Sequence, residues 1–96
     1  MSLRKLSESM RASHILVESR EQAVELLREL GDGASFEALA RENSCCPSAK
    51  TGGDLGFFTF GQMSDEFEAA VVSIGPGEIT GPVWTEFGHH IIKRVE

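Results

Sequence analysis

The sequence predicts an α+β domain in which a four-stranded, mostly antiparallel sheet is wrapped by three to four helices. Three observations lead there. Apolar, β-branched runs stand at the two ends of the chain. Apolar stripes at helical spacing lie between them. Glycine and proline breaks then set the element order βααβαββ. A chain of 96 residues accommodates one small domain and buries only about 60–65% of its unfolded surface, so its core must be compact.

Each element has a local reason. "ASHILVE" (12–18) is apolar and β-branched and reads as a strand. Ala12, His14 and Leu16 share one face, and Ser13, Ile15 and Val17 the other, which suits a central strand covered on both sides. A helix follows, with Ser19 as N-cap and Gln22 completing a capping box. Ala23, Leu26, Leu27 and Leu30 form its apolar stripe, and Gly31 is expected to stop it as a C′ glycine. A second helix starts at Ser35, with Phe36, Leu39 and Ala40 on one face, and ends near Asn43. Residues 44–53 read as a loop and 54–61, "DLGFFTFG", as the second strand. Ser64 caps a third helix whose Asp65 and Glu66 suit its N-terminal end and whose Phe67, Ala70 and Val71 point inward. After the Gly75-Pro76-Gly77 break, two apolar runs flank Phe87-Gly88 as a hairpin, with Pro82 near the start of a strand.

Composition narrows the function classes. The net charge of −6 argues against a nucleic-acid binder, and the basic residues are scattered. No apolar run reaches the length of a membrane span, and the opening "MSLRKLSESM" lacks the apolar centre of a secretory leader. Residues 1–11 read as an N-terminal extension or expression remnant and 12–96 as the domain. Cys45 and Cys46 are adjacent, which disfavours a disulfide between them and fits a reducing, cytoplasmic setting.

Among chemical groups, two Cys and three His could make a zinc site by count, but adjacent cysteines lack the usual ligand spacing. His89 and His90 on a strand point to opposite faces, so at most one could reach a given ion. No metal or cofactor is expected. Cys46 has two readings, a nucleophile paired with a histidine or a small buried hydrophobe. The glycines of "TGGDLG" (51–56) permit positive φ or close backbone approach rather than cradle a phosphate. Phe57, Phe58, Phe60, Met63, Phe67, Trp84 and Phe87 cluster in the second half. Most are expected in the core and a few along an apolar pocket.

"SHILV", "FEALARENSCCPSAKTGGDLGFF", "GQM" and "FEAAVVSIGPGEITGPVWTEFGHHIIK", in this order, resemble the parvulin-type peptidyl-prolyl cis/trans isomerases, the PpiC or rotamase family, over about residues 12–95. The resemblance implies a parvulin-like fold, a four-stranded antiparallel sheet wrapped by helices. It assigns His14, Cys46, Thr85 and His90 to the catalytic set. It assigns Leu55, Met63 and Phe67 to a proline pocket, with Phe87 at the pocket edge. Cys45 has no implied role. The family's phospho-specific members carry a basic loop after the first strand. Here "VESREQ" holds Arg20 alone amid glutamates, so a type without a phospho-Ser/Thr requirement is implied.

The implied activity is rotation about X-Pro bonds, whose amide barrier is on the order of 18–20 kcal/mol. A dry pocket favours the less dipolar twisted amide. Cys46 could attack the carbonyl or act through polarity alone, and the Asp found there in relatives favours the second. The two histidines could instead be mainly structural. Expected partners are proline-containing peptides and folding protein clients, not nucleic acid or a membrane, with the chain acting as a monomer. The competing readings are a non-catalytic peptide-binding or chaperone module, and one domain of a longer exported foldase. Of the histidine pair, His90 is expected to face inward with His14, and His89 outward.

Overall fold

A computed structural model describes residues 9–59 and 61–96. Most of the N-terminal extension, residues 1–8, and Phe60 of the expected second strand lie outside the described residues. Among the described residues, four strands and three helices follow the order β1 (Met10–Val17), α1 (Arg20–Gly31), α2 (Phe36–Asn43), β2 (Asp54–Phe58), α3 (Asp65–Val72), β3 (Ile79–Thr85) and β4 (Gly88–Arg94). One antiparallel sheet runs β2-β1-β4-β3.

β1 is central, as its two-sided apolar pattern predicts, and it sorts the core into two layers. Ile15 and Val17 of β1 and Ile91 of β4 pack against Ala23 and Leu26 of α1 and Phe36, Leu39 and Ala40 of α2. Met10 and Ala12 of β1 and Ile92 of β4 pack on the other face with Phe58, Phe67 and Val71. Strand alternation decides which residue serves which layer. β1 starts at Met10, two residues before the sequence reading, because Met10 is a buried member of the second layer.

The helix starts follow from their caps. The hydroxyls of Ser19, Ser35 and Ser64 accept from the backbone N–H groups of Gln22, Ala38 and Phe67 respectively, satisfying donors that no helical carbonyl reaches. The C-terminus of α1 differs from expectation. Gly31 is the last helical residue, Asp32 is the cap, and the left-handed turn falls on Gly33 at φ 103°. The loop over residues 44–53 holds a short 3₁₀ turn, Pro47–Thr51, where proline at N1 is compatible with the missing N–H.

Two irregularities bend the outer strands. Between Arg11↔Phe57 and Ser13↔Asp54 the register gains one residue on β2. Between Thr80↔Ile92 and Val83↔His90 it gains one on β3, at the cis Gly81–Pro82 peptide. Pro82 therefore sits inside β3, not near its start, and it is tolerated because β3 is an edge strand with a register break there. The aromatic residues also divide differently from expectation. Phe58 and Phe67 are buried, whereas Phe57, Trp84 and Phe87 are exposed.

The terminus of α1 yields a paired prediction. A Cβ at Gly31 meets nothing within 4 Å and the residue is helical, so Gly31→Ala should raise stability by about 0.5–1 kcal/mol. Gly33→Ala should lower it by about 1–3 kcal/mol, because φ 103° strains any residue with a Cβ. Urea midpoints of the two variants check the sign of each.

Candidate active site

The site lies on the α3 side of the sheet. His14 of β1 and His90 of β4 are both 5% exposed, and strand alternation puts them on this face. Their rings stack at 5.0 Å between centroids, with Nδ1 to Nδ1 at 2.9 Å. Thr85, buried at the end of β3, places Oγ1 2.7 Å from His90 Nε2. The same hydroxyl oxygen accepts from the Phe87 N–H at 3.2 Å. Phe67 of α3 presents edge-to-face contacts to both imidazoles, at 5.8 and 5.7 Å.

Proton arithmetic fixes how this chain can work. A contact between two Nδ1 atoms holds one proton, so one ring donates and the other accepts. If the Thr85 hydroxyl donates to His90 Nε2, His90 Nδ1–H donates to His14 and the His14 proton sits on Nε2. If the chain runs the other way, His90 Nε2–H donates to Thr85 and its hydroxyl proton is free. Both directions satisfy every internal contact. The chain can therefore present a donor at either end, provided both rings are neutral. Burial ensures that they are. It holds the His14 imidazole down to about 4, with the nearby His90 adding to the effect. His90 is lowered as well, by burial first and then by His89. His14 Nε2 is buried and has no partner among the described residues.

A mostly apolar cavity of about 220 Å³ opens beside this chain, lined by His14, Leu55, Met63, Phe67, Thr85, Phe87 and His90, with Gln62 and Ser64. Leu55 reaches it because of the β2 irregularity. Simple alternation from the inward-facing Phe58 would turn Leu55 to the other side of the sheet, and the extra residue, with Gly56 at φ 74°, reverses that. The base of the Leu55 turn is held by Asp54, whose Oδ1 accepts from the Gly56 N–H at 2.8 Å and whose carboxylate takes a bidentate pair from Arg11. Arg11 holds the Asp54 carboxyl below its usual range. Gly53 is needed for close approach, because a Cβ there would lie 2.5 Å from the His14 carbonyl oxygen.

Seven of the eight residues singled out in the sequence thus converge on one cavity. Cys46 does not. It is half-buried at the N-cap of the 3₁₀ turn and is not among the lining residues. Its backbone N–H donates to Ser44 Oγ at 3.4 Å, the same oxygen that takes the Leu16 N–H, which ties this segment to β1. Cys45 is exposed. His89 faces the α1 side, opposite Val17 and Trp84. Sequence reasoning missed Gln62, which follows the Gly61 turn, and Glu68, which is buried in α3. The only signal for Glu68 was an acidic residue next to the inward-facing Phe67.

Comparisons with known proteins agree with this geometry. The rotamase family, described as the PPIC-type PPIase domain, matches residues 3–96. The foldase protein PrsA of Bacillus subtilis is 46% identical over 92 residues, 95% of this chain and 32% of that protein. The crystal structure of PrsA from Bacillus subtilis superposes with a TM-score of 0.91 at 44% identity, over 99% of this chain and 38% of that one. The solution structure of NmPin, the parvulin of Nitrosopumilus maritimus, superposes at 0.83 with 41% identity, over 93% of this chain and 97% of that one. The chain spans about a third of the length of the curated foldases it matches.

Two predictions follow from the buried pair. The unfolded chain binds a proton at His14 near pH 6.5 and the folded chain only near 4, so the unfolded state holds more protons between those values. Stability should be complete above pH 6.5 and fall through pH 4, by up to about 3 kcal/mol from His14. The Asp54 contribution is lost only at lower pH, below its ordinary 3.8. Urea midpoints from pH 8 to 4 should show a shallower slope in His14→Gln, and an unchanged slope would sink the assignment. Separately, His90→Ala should cost about 2–4 kcal/mol by stranding His14 and Thr85, and His89→Ala less than about 1 kcal/mol. Equal losses would mean the β4 register is wrong.

Proposed function

The chain belongs to the PPIC-type peptidyl-prolyl cis/trans isomerase family, and from that premise we propose that it accelerates rotation about X-Pro bonds in peptides and folding proteins, without requiring a phosphate before proline. The observation that carries the reading is the junction of an apolar cavity with a neutral, two-directional hydrogen-bond chain. Leu55, Met63 and Phe67 would hold the pyrrolidine ring. The X-Pro amide would then lie beside His14, His90 and Thr85. In the planar amide the nitrogen lone pair is delocalised into the carbonyl, and this is lost as the bond twists. Apolar surroundings favour the less dipolar twisted amide, while a chain that can offer a donor from either end can follow the carbonyl as it swings. His14, Thr85 and His90 are the catalytic set in this reading, with Phe87 at the cavity rim.

Cys46 has a non-covalent, polar role in this reading, the one favoured by the Asp that relatives carry at its position. Indifference to phosphate is supported by the connection between β1 and α1, which is only Glu18-Ser19 and offers no basic loop. The two free cysteines, one of them exposed, support a reducing, cytoplasmic location. A second reading, one domain of a larger foldase, is supported by the share of the PrsA sequences that the chain spans.

Exchange NMR on X-Pro peptides tests the reading. Added protein should speed cis/trans exchange for Ala, Leu or Glu before proline, with phospho-Ser no better than Glu. Binding without faster exchange would leave a non-catalytic peptide module instead. A clear preference for phospho-Ser would overturn the phosphate-independent assignment.

A further inference from the structure

We propose that Glu68 is a positioning residue for the proline-binding wall, a role that rests on the isomerase reading above. Glu68 lies in α3 and is 8% exposed. A carboxylate is rarely buried unless its oxygens are satisfied, because leaving water is costly. Among the described residues no cation pairs with it. Its Oε2 instead accepts from two backbone donors, the Gly61 N–H at 2.8 Å and the Met63 N–H at 3.0 Å.

These two donors flank Gln62, and both Gln62 and Met63 line the cavity. Among the described residues between β2 and α3, none is in a strand or helix. Side-chain acceptors hold this segment instead. Gln62 Oε1 takes the Thr59 N–H at 2.7 Å, Ser64 caps α3, and Glu68 takes the two donors at the centre. Glu68 thus ties the Met63 wall to the helix that supplies Phe67, the wall facing it. Without that oxygen both N–H groups would turn to water and the Met63 side of the pocket would lose its fixed position. Part of the binding free energy would then go into ordering it.

The experiment compares the parent chain with Glu68→Leu, Glu68→Asp and Glu68→Gln. Three readouts are taken: X-Pro peptide affinity by chemical-shift titration, cis/trans exchange rates, and amide hydrogen exchange at Gly61 and Met63. Glu68→Leu keeps apolar volume but has no acceptor. It should weaken peptide binding about tenfold and unprotect both amides to a similar degree, with the imidazole signals of His14 and His90 unchanged. Glu68→Gln keeps an oxygen that can accept both donors and should stay within about threefold of the parent. If Glu68→Leu fails to fold, Glu68→Asp decides, because its shortened carboxylate keeps the charge but falls short of the loop, and it should weaken binding about fivefold. Binding within about twofold of the parent in a folded Leu or Asp variant would overturn the proposal, as would Gln damage equal to that of Leu. A parent chain that binds without catalysing would overturn the isomerase reading alone, since peptide affinity and amide hydrogen exchange still judge Glu68.

Discussion

The hydrogen bond between two buried imidazoles is the constraint around which this domain is arranged. His14 and His90 stand on neighbouring strands, and their contact needs the β1–β4 register that sets Leu16 against His90 and His14 against Ile92. A slip of one residue would send one ring to the α1 face and the other to α3. The two-way chain also needs neutral rings, hence burial, hence a lid. Phe67 provides it by closing edge-on over both imidazoles from α3. The backbone beneath has to be narrow as well, and Gly53 packs against the His14 main chain where no side chain fits. A polar pair this deep is tolerable only because each inner nitrogen has a partner.

The regular part of the sheet supplies the histidines, and its irregular parts supply nearly everything else. β1 and β4 pair without interruption over the site. β2 and β3 each carry one extra residue. On β2 this turns Leu55 into the cavity. On β3 it brings Val83, and so Thr85 two residues on, to the same face as His90. Outer strands can absorb such shifts because one side of each is unpaired. A cavity with walls from both edges of a central pair is thus obtained without disturbing the pair itself.

What could be read in the sequence is what short-range physics decides. The three serine caps, the apolar stripes, the two-sided character of β1 and the opposite facing of His89 and His90 all depend on neighbours within four residues, while the resemblance picked His90 as the inward one. The family resemblance added the grouping of Leu55, Met63, Phe67 and Thr85, which periodicity alone could not sort. What escaped depends on contacts between distant segments. Alternation gives no sign that a strand gains a residue, so the positions of Leu55 and Pro82 were not derivable from it. Gly31 and Gly33 are chemically alike, and only the path of the chain after α1 distinguishes them. Glu68 reads as one more acid near a helix start until the loop it binds is folded over it. Cys46 was placed in the catalytic set by the family resemblance alone, and it stands half-buried just before the 3₁₀ turn that begins at Pro47.

The sheet separates two apolar layers that share no helix. α1 and α2 cover a face with no part in the cavity, and among the described residues α3 alone covers the face that holds it. Robustness and chemistry are therefore housed in different rooms of the same small building. Substitutions among Ala23, Leu26, Phe36 and Leu39 can drift, or be redesigned for heat tolerance, under selection on folding alone. Those among Phe58, Phe67 and Val71 answer to the substrate as well. A lineage of such domains would be expected to diversify first on the α1–α2 side, and to keep its functional signature in the segment from β2 to β4.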